Sequence, residues 1–385
     1  MTQTHVDVAV VGGGMVGAAV ALGLAKQGKQ VAIIEGYQPR AYDPSQAHDI
    51  RISAISKTSI DLLQRLGAWP HIQSKRVYPY TGLETWELDN CHTKFDAASL
   101  DLPLLGYMVE NRILQLGIWQ AIEPLSNVTF YCPDSLVSIK DHNQGKLIEL
   151  SSGKTITANL VVGADGANSQ VRQSAGIGVT AWDYRQDCML INVETDCEDI
   201  DVTWQRFSAS GPRSYLPIGE GFACLVWYDS PSRIKQLSQL SPAELKNEIE
   251  AFFPSRVGKV TVNDFASFPL KRRHAQHYCK EGIVLVGDSA HTINPLAGQG
   301  VNLGFKDVSA LLEVLVDGDY SLENLLQYQK ARKTDNLMMQ TAMDAFYLGF
   351  SNDIAPIKML RNIGLKLADR AGPLKHQALR YALGL

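Results

Sequence analysis

Three glycines near the start of the chain have the spacing that a dinucleotide-binding turn requires. Gly12, Gly14 and Gly17 form the pattern G-x-G-x-x-G, and Glu35 follows 18 residues after the last of them. In such a turn the first glycine lets the chain reverse, the second lets a pyrophosphate approach the backbone, and the third lets helix and strand pack closely. A carboxylate at Glu35 can accept hydrogen bonds from the hydroxyls of an adenosine ribose. The pattern predicts dinucleotide binding, with FAD and NAD as alternatives.

The segments around this turn predict the elements that position it. A β-branched run at 6–11 indicates a buried parallel strand, the small residues up to Gln27 indicate a helix, and 31–34 indicates a second strand. The N-terminus of the helix offers unpaired N–H groups and a partial positive charge to phosphates. Because strand, turn, helix and acid occur in this order, we favour a βαβ nucleotide-binding unit over a glycine-rich turn without a ligand.

Two further acids each follow a predicted strand and stand beside a glycine. Asp165 precedes Gly166, and Asp288 follows Gly287. Ligands of open α/β folds bind at the carboxyl edge of the sheet, so carboxylates at this edge suit a polyol. Either acid alone could merely cap a turn, as aspartate often does. Together with the flanking glycines, the two acids predict one ligand-binding edge.

A third loop contains Pro295, Gly298 and Gly300 and opens a long helical stretch. Backbone N–H groups at the start of a helix can face a developing negative charge. We therefore expect this loop to stabilise an anion that forms during a reaction.

Together these motifs resemble those of the class A flavoprotein aromatic hydroxylases, the para-hydroxybenzoate hydroxylase superfamily. The resemblance covers at least residues 6–345, with the motifs in the same order and spacing. It implies a mixed α/β fold, in which a Rossmann-like FAD-binding domain of the glutathione-reductase type carries an inserted antiparallel-sheet substrate domain and C-terminal helices. It also implies FAD as the cofactor, NAD(P)H as the reductant and O2 as the co-substrate.

The resemblance makes the third loop the catalytic one. It places residues 295–302 around the isoalloxazine ring of FAD, so that Pro295, Gly298 and Gly300 are the predicted catalytic residues. The chemistry of the family implies that reduced FAD reacts with O2 to give a C4a-hydroperoxide, whose distal oxygen is attacked by an electron-rich ring. The loop would hold this peroxide and stabilise the anionic reduced flavin.

Further residues match FAD-binding positions of the family. The resemblance places Asp288 on the ribityl chain, Asp165 near the pyrophosphate, Arg51 in a flavin-contacting loop and Arg112 at another FAD-side position. The full predicted cofactor-binding set is Gly12, Gly14, Gly17, Glu35, Arg51, Arg112, Asp165, Gly166, Gly287, Asp288, Pro295, Gly298, Gly300, Val301 and Asn302.

Several stretches resemble one branch of this family, the ubiquinone-biosynthesis hydroxylases. They are 51–56, 106–111, 225–229 and 382–385. This likeness implies a polyprenylated benzoquinol as the substrate. The alternatives are a hydroxylase of the same pathway that acts at a different ring carbon, a related FAD oxidoreductase that saturates isoprenoids, and a non-catalytic chaperone that binds prenylated partners. The intact glycine and aspartate motifs disfavour the chaperone, which would not need a flavin.

The composition excludes other classes of protein. The 385 residues carry 36 Lys and Arg against 40 Asp and Glu, and the net charge of −4 disfavours nucleic-acid binding through a basic surface. The six cysteines form no C-x-x-C pair, so we expect free thiols in a reducing compartment.

His274 and His277 could suggest a metal, but the sequence shows no third ligand beside them, and we predict no metal site. The apolar segment 8–25 lacks a preceding basic region and contains five glycines, so we expect neither a signal peptide nor a membrane helix.

The motifs are scattered along the chain, so the FAD-binding domain must be assembled from separate segments. Short alternating apolar strands at 186–228 indicate an antiparallel sheet inserted between them. Tyr215, on one of these strands, is a candidate for the base that deprotonates the substrate. For His291, beside the Gly287 motif, we favour a structural role over a catalytic one. The predicted FAD-binding domain comprises 1–76, 104–178 and 275–345, and the predicted substrate-binding domain comprises 77–103 and 179–274.

The remaining segment, 346–385, is basic. It has six Lys or Arg and two Asp, which gives +4 and leaves −8 for the rest of the chain. Apolar residues recur in it at helical spacing. Two interpretations stay open: a pair of helices packed on the core, or a basic amphipathic surface that binds a membrane or a lipid-handling partner in a ubiquinone-biosynthesis complex. The predicted location is the cytoplasm, with peripheral association at the inner membrane left open.

Overall fold

The structure, a computed structural model, consists of two large sheets, a small sheet that joins them, and helices packed on these sheets. Its described part comprises residues 4–143, 145–293, 300–372, 375–377 and 379–380. In chain order the strands are β1 (Thr4–Val11), β2 (Val31–Ile34), β3 (Ile52–Ser56), β4 (Val77–Tyr80), β5 (Gly82–Trp86), β6 (Thr93–Asp96), β7 (Gly106–Glu110), β8 (Val128–Tyr131), β9 (Leu136–His142), β10 (Gly145–Leu150), β11 (Thr155–Gly163), β12 (Val179–Thr195), β13 (Val202–Arg206), β14 (Arg213–Gly219), β15 (Phe222–Asp229), β16 (Val260–Ala275), β17 (Cys279–Lys280), β18 (Ile283–Leu285) and β19 (His291–Thr292). The helices are α1 (Met15–Lys26), α2 (Lys57–Arg65), α3 (Trp69–Gln73), α4 (Asn111–Ile122), α5 (Gln170–Ser174), α6 (Pro231–Leu237), α7 (Pro242–Phe252), α8 (Gly300–Val314), α9 (Leu322–Phe350) and α10 (Ala355–Asp369).

The first sheet is mainly parallel and forms the core of the nucleotide-binding half. Within the described residues its main path is β17-β18-β11-β1-β2-β8, and β10 and β9 extend it beside β11. The strands β18, β11, β1, β2 and β8 pair in parallel. The strand β2 and residues 8–11 of β1 are continuous apolar runs, as is typical of parallel strands buried on both faces, and Val8, Ala9 and Val10 have no exposed surface. The predicted strands at 6–11 and 31–34 are confirmed.

The motif-bearing loops leave this sheet at neighbouring positions of one edge. In the parallel register, Val11 lies beside Gly163, and Gly163 lies beside Leu285. The pairing continues past the strand ends, because Ala164 N donates to Val11 O at 2.8 Å and Val286 N donates to Gly163 O at 3.0 Å. Adjacent strands lie about 4.8 Å apart, so stretches far apart in the chain converge at this carboxyl edge.

The second sheet is mostly antiparallel and has two different faces. Among the described residues its order is β19-β16-β12-β15-β14-β13-β5-β6. Alternate side chains, among them Met189, Tyr215 and Trp227, form one core with α6 and α7. The opposite side chains, such as Leu190 and Leu216, pack with Ala54 of β3, Tyr80 of β4 and Met108 of β7. The antiparallel sheet that the sequence implies is therefore present.

A small antiparallel sheet of β3, β7 and β4 joins the two halves. It contains Val77–Tyr80, which the predicted division assigns to the substrate domain. His291–Thr292, from the predicted FAD-binding domain, pairs instead with β16 of the second sheet. The predicted domain boundaries stay a prediction, and these two strands show where the halves share backbone pairing.

The C-terminal segment is helical, as its apolar spacing predicts. The helix α9 runs without a break from Leu322 to Phe350, so the proposed boundary between 345 and 346 falls inside it. The helix α10 follows and begins with a proline in its first turn, where the missing N–H has no partner to lose. No helix in the described part of the chain is long and apolar enough to cross a membrane.

Candidate functional site

Of the three motif glycines after β1, only the second faces open space. Gly12 has φ +101°, and a Cβ added there would lie 2.3 Å from the Ala164 carbonyl oxygen. A Cβ at Gly17 would lie 1.9 Å from the Gly12 carbonyl oxygen, so turn and helix are in direct backbone contact. A Cβ at Gly14, the N-cap residue of α1, would meet no atom of the described residues within 4 Å. The N-terminus of α1 therefore opens onto a space that suits a pyrophosphate.

The peptide groups of Gly13 hold this turn in place. Its N–H donates to Glu35 Oε2 at 2.7 Å, and its carbonyl oxygen accepts from Gln115 Nε2 at 2.9 Å and Trp119 Nε1 at 2.7 Å. Sequence reasoning missed Gln115 and Trp119. Their only signal is a spacing of four residues, which puts them on one face of α4.

Glu35 stands where the sequence predicts it, at the end of β2 beside the turn. Besides the Gly13 N–H, its carboxylate accepts the Tyr37 N–H at 3.0 Å. The group is only half-buried and each oxygen keeps a free lone pair. Glu35 thus orients the turn and can still accept hydrogen bonds from a ribose.

We expect Glu35→Ala to weaken FAD binding by about 1.5–3 kcal/mol, the usual contribution of hydrogen bonds to a charged group. Glu35→Gln should lose less, because one amide oxygen can still accept from either Gly13 or the ribose. Titration of FAD into apoprotein, followed by flavin fluorescence, measures both affinities. The matched control is Glu313→Ala, which removes an exposed carboxylate on α8. An FAD affinity that Glu35→Ala leaves unchanged would remove Glu35 from the ribose site.

One carboxylate oxygen of Asp165 has a structural role, and the other has no hydrogen-bond partner within the described residues. Its Oδ2 accepts the N–H groups of Gln170 at 2.6 Å and Val171 at 3.1 Å, so it caps the start of α5. Its Oδ1 is buried and has no hydrogen-bond partner in the described part of the chain. Gly166, with φ +78°, leaves open space beside it. The capping interpretation is therefore correct for one oxygen, while the other is available to a ligand.

Asp288 lies at the carboxyl edge of the first sheet, shortly after β18. Its side chain is accessible to solvent, yet the surrounding protein desolvates it and raises the pKa of its carboxyl, while the charges of His291 and Arg51 limit the rise. Gly287, just before it, has φ +58° and donates its N–H to Asp307 at 3.0 Å.

Arg51 and Arg112 differ in how firmly hydrogen bonds hold their side chains. Arg51 is exposed, its guanidinium lies 5.6 Å from the centre of the Phe268 ring, and it forms no hydrogen bond through its side chain within the described residues. Arg112 binds both carboxylate oxygens of Asp49 at 2.8 and 2.9 Å and the Arg40 carbonyl at 2.9 Å. Arg112 thus fixes the loop that precedes β3, and its contact with FAD stays a prediction.

The start of α8 is tied to β3 by Asn302. Its Oδ1 accepts from Ser56 N at 3.0 Å and Ser59 Oγ at 2.8 Å, and its Nδ2 donates to Ala54 O at 2.8 Å. Asn302 therefore positions the helix, and no atom of the described residues lies within 4 Å of where a Cβ at Gly300 would be. Of the other predicted loop residues, Val301 is partly buried against the core, while Pro295 and Gly298 lie outside the described residues.

The other residues that the sequence suggests for catalysis or metal binding do not form a reactive site in the described part of the chain. His291 is 2% exposed and its Nε2 bonds Asp307, as the structural interpretation expects. Tyr215 lies in the core on the far face of the second sheet, so the structure does not support it as a base near the flavin. No cluster of metal-binding side chains occurs among the residues that the structure describes, which include His274 and His277.

The carboxyl edge of the first sheet fits FAD at three points. The open space at Gly14 suits the pyrophosphate, the unpaired Oδ1 of Asp165 can accept a hydrogen bond, and the accessible carboxylate of Asp288 suits a hydroxylated chain. All three lie at one edge of the first sheet. Beside Arg51, the second sheet adds an apolar wall that includes Leu190 and Phe268.

Comparisons with known proteins agree with this geometry. A family described as FAD binding domain matches residues 5–340. The fold is similar to that of p-nitrophenol 4-monooxygenase PnpA from Pseudomonas putida, with a TM-score of 0.82, 20% identity and coverage of 99% of both chains. It is also similar to PqsL from Pseudomonas aeruginosa, with a TM-score of 0.78, 21% identity and coverage of 94% of this chain and 99% of that one. The chain belongs to the family of FAD-dependent monooxygenases, which confirms the predicted fold class and the FAD cofactor.

Curated relatives narrow the assignment within that family. The chain is 53% identical to 3-demethoxyubiquinol 3-hydroxylase of Escherichia coli over the full length of both proteins. It is 35% identical to ubiquinone hydroxylase UbiL of Rhodospirillum rubrum, with 98% of this chain and 89% of that protein covered. It is 30% identical to the mitochondrial ubiquinone biosynthesis monooxygenase COQ6 of Danio rerio, with 98% and 89% covered. The protein is a hydroxylase of the ubiquinone-biosynthesis branch.

Proposed function

We propose that the protein hydroxylates the ring of 2-octaprenyl-3-methyl-6-methoxy-1,4-benzoquinol. The observation that carries this proposal is the 53% identity over the full length of the Escherichia coli 3-demethoxyubiquinol 3-hydroxylase. The structure supports it, because partly exposed apolar side chains of the second sheet, among them Phe268 beside Arg51, would suit a hydrophobic ring. The overall reaction consumes the quinol, O2, NAD(P)H and a proton, and yields the hydroxylated quinol, NAD(P)+ and water.

Residues at the carboxyl edge of the first sheet would hold FAD. The N-terminus of α1 at Gly14 would bind the pyrophosphate, Glu35 the adenosine ribose and Asp288 the ribityl hydroxyls. Asp165 Oδ1 and the guanidinium of Arg51 would add a hydrogen-bond acceptor and a positive charge beside them. When bound, FAD supplies the redox chemistry, taking electrons from NAD(P)H and activating O2 for oxygen transfer to the ring.

The protein contributes positioning and protection from water. Side chains of the second sheet, including Leu190, Leu216 and Phe268, form an apolar surface against which a quinol ring can pack. A dry surface keeps the activated oxygen from being lost as H2O2. The start of α8, fixed on β3 by Asn302, would direct its N–H groups toward negative charge on the reduced flavin.

We expect a panel of quinols to identify the ring carbon that is hydroxylated. The panel offers the holoenzyme quinols that differ in which carbon is unsubstituted, together with NAD(P)H and O2, and mass spectrometry identifies each product. The proposal predicts one added oxygen on the 3-methyl-6-methoxy quinol and NAD(P)H oxidation matched to product. Hydroxylation only at a different carbon would assign the protein to another step of the pathway. Purified protein without flavin absorption bands would favour the chaperone instead.

The C-terminal helix α10 has one docked face and one bare face. Asn362 and Leu365 are buried, with Asn362 bonded to Glu87 and to the Leu88 N–H. The packed-helix interpretation therefore accounts for one side. On the other side the exposed apolar residues are Ile357, Met359, Leu360, Ile363 and Leu367. The cation Lys366 of α10 and the cation Arg370, which directly follows this helix, are also exposed.

We propose that this bare face of α10 binds an anionic membrane surface, because it combines exposed apolar side chains with the exposed cations Lys366 and Arg370. The holoenzyme should then sediment with vesicles that contain phosphatidylglycerol and far less with pure phosphatidylcholine vesicles. The double variant Leu360→Glu and Leu367→Glu should abolish sedimentation and keep quinol turnover in detergent. Leu326→Glu, which changes an exposed leucine on α9, is the matched control. Equal sedimentation of wild type and double variant would contradict the proposal and favour a lipid-handling protein as the partner.

A further inference from the structure

One buried amide on α9 bonds two strands that meet beside the predicted flavin loop. Gln340 is 1% exposed, and its Nε2 donates to Arg273 O at 2.9 Å and to Thr292 O at 3.1 Å. Its Oε1 lies 2.8 Å from His274 Nδ1. Arg273 and His274 belong to β16, and Thr292 is the last residue of β19. A single side chain therefore bonds both strands at the place where they pair.

The neighbouring imidazole fixes the orientation of this amide. The two carbonyl oxygens can only accept, so the NH2 group of Gln340 must face them and Oε1 must face His274. Burial lowers the pKa of His274 to about 4, so its ring is neutral at neutral pH and donates its one N–H from Nδ1. The buried Nε2 of His274 then carries no proton and has no hydrogen-bond partner within the described residues. Gln340 is thus held in one orientation by partners that cannot exchange roles.

The two strands that Gln340 joins carry different parts of the predicted site. Thr292 lies three residues before Pro295, where the predicted flavin loop begins. Arg273 lies five residues after Phe268, which belongs to the apolar wall of the second sheet. Within the described residues, β19 and β16 share only two residue pairs. Gln340 therefore reinforces a short connection between the flavin loop and the wall.

The same face of α9 also holds the turn at Gly287. Asn336 and Arg332 lie four and eight residues before Gln340, so the three side chains share one face of the helix. Both donate to Asp307, which in turn accepts the Gly287 N–H. One row of buried polar side chains thus ties the turn beside the predicted ribityl site and the second sheet to a single helix.

We propose that Gln340 is a positioning residue, which fixes the flavin loop on the second sheet so that the quinol ring lies at the right distance from the activated oxygen. This inference rests on the proposed function and adds to it a residue that acts through the backbone of both strands. Misplacing reacting groups by about 1 Å can slow a reaction about a hundredfold. Activated oxygen that does not reach the ring is lost as H2O2. Gln340 should therefore govern kcat and the share of NAD(P)H that yields product.

The test measures the NAD(P)H consumed, the quinol hydroxylated and the H2O2 formed by the holoenzyme in detergent. Gln340→Leu keeps a similar size and removes all three hydrogen bonds. We expect its kcat for hydroxylation to fall about tenfold or more, while KM for the quinol and Kd for FAD stay near their wild-type values. The missing electrons should appear as H2O2, formed from O2, NAD(P)H and a proton. The visible circular dichroism of the bound flavin should also change, because the loop beside it has shifted.

Two further variants separate positioning from stability. Asn324→Leu removes another amide of α9, whose Nδ2 donates to Val314 O at 2.7 Å and to Asp319 O at 2.8 Å. Val314 ends α8, about 21 Å from Gly300 at the rise of an α-helix. Asn324→Leu should lower the melting temperature and leave coupling and flavin circular dichroism at wild-type values. Gln340→Glu keeps the size and can donate at most one hydrogen bond, so it should be partly uncoupled.

Two results would overturn the inference. The first is full coupling with unchanged flavin circular dichroism in Gln340→Leu, or in Gln340→Glu if only that variant folds. The second is equal uncoupling in Asn324→Leu, which would trace the effect to lost stability alone. Failure of the proposed function would look different: wild-type enzyme would form no hydroxylated quinol, while the flavin circular dichroism of the Gln340 variants would still show whether the loop had moved.

Discussion

Asp307→Ala is expected to lower the free energy of unfolding by about 3–5 kcal/mol, the usual cost of removing one partner from a buried ion pair. Asp307 has no exposed surface and accepts hydrogen bonds from Arg332 Nε at 2.9 Å and Asn336 Nδ2 at 3.1 Å. It also accepts from His291 Nε2 and from the Gly287 N–H. The variant would leave the buried guanidinium of Arg332 without this counter-charge and free the backbone beside the predicted ribityl site.

The electrostatics of Asp307 support this expectation. Burial alone would raise the pKa of its carboxyl, but His291, Arg332 and Asn336 more than offset that effect and lower the pKa. The carboxylate therefore stays charged and paired at neutral pH. Urea denaturation of the holoenzyme measures the loss of stability, and flavin content measures the effect on the site.

Asp335 offers a matched control for Asp307. It pairs with the same arginine, Arg332, at 2.6 Å but is more exposed. Asp335→Ala should cost about 1 kcal/mol or less, as for other solvent-accessible ion pairs. Equally small losses in both variants would mean that Asp307 does not anchor the Gly287 loop.

Gly17→Ala is expected to abolish FAD binding. The new Cβ would lie 1.9 Å from the Gly12 carbonyl oxygen and 2.9 Å from the Cβ of Ala164, and backbone cannot yield as a flexible side chain can. The glycine turn must therefore move away from α1, and overpacking of this kind costs about 1–3 kcal/mol or more. Both the melting temperature of the apoprotein and its FAD content should fall.

Gly14→Ala should weaken FAD binding without changing the stability of the fold. A Cβ at Gly14 meets no protein atom within 4 Å, so the apoprotein should keep its wild-type melting temperature. FAD should nevertheless bind more weakly, because the methyl group enters the space assigned to the pyrophosphate. Gly349→Ala, at an equally open position on α9, should affect neither quantity. Wild-type FAD affinity in Gly14→Ala would show that the pyrophosphate lies elsewhere.

The backbone of the nucleotide-binding half could be predicted because its signals are local. The β-branched run before Gly12 and the acid at the end of the second strand follow from period and turn chemistry. The convergence of the loops that carry Gly14, Asp165 and Asp288 could also be predicted, since the carboxyl ends of parallel strands share one edge of the sheet. These features depend on which residue type stands at each position, which the sequence shows directly.

The contacts that hold the site together could not be predicted, because they join residues distant in the chain. Asn302 reaches Ser56 across 246 residues, and Trp119 reaches Gly13 across 106. The face on which Tyr215 lies depends on strand parity, since one residue of register reverses every side chain. The alternation of apolar and polar residues around Tyr215 predicts a strand, but it does not show which face of that strand lies toward the predicted flavin site.

The domain boundaries illustrate a different limit. No glycine or proline interrupts α9 between Leu322 and residue 345, and the helix continues to Phe350 although the charge pattern changes near that point. Charge describes a surface and does not end a helix. The strand at Val77–Tyr80 likewise pairs with β7, a partner that only the folded chain identifies.

A crystal structure of the FAD-loaded enzyme tests the central claim most directly. The account predicts one FAD molecule with its pyrophosphate at the Gly14 end of α1, its adenosine ribose on Glu35 and its ribityl hydroxyls on Asp288. The isoalloxazine ring should then face the apolar wall beside Phe268. An FAD molecule that bound the glycine turn but left Asp288 without contact, or that directed its ring away from the second sheet, would contradict the account.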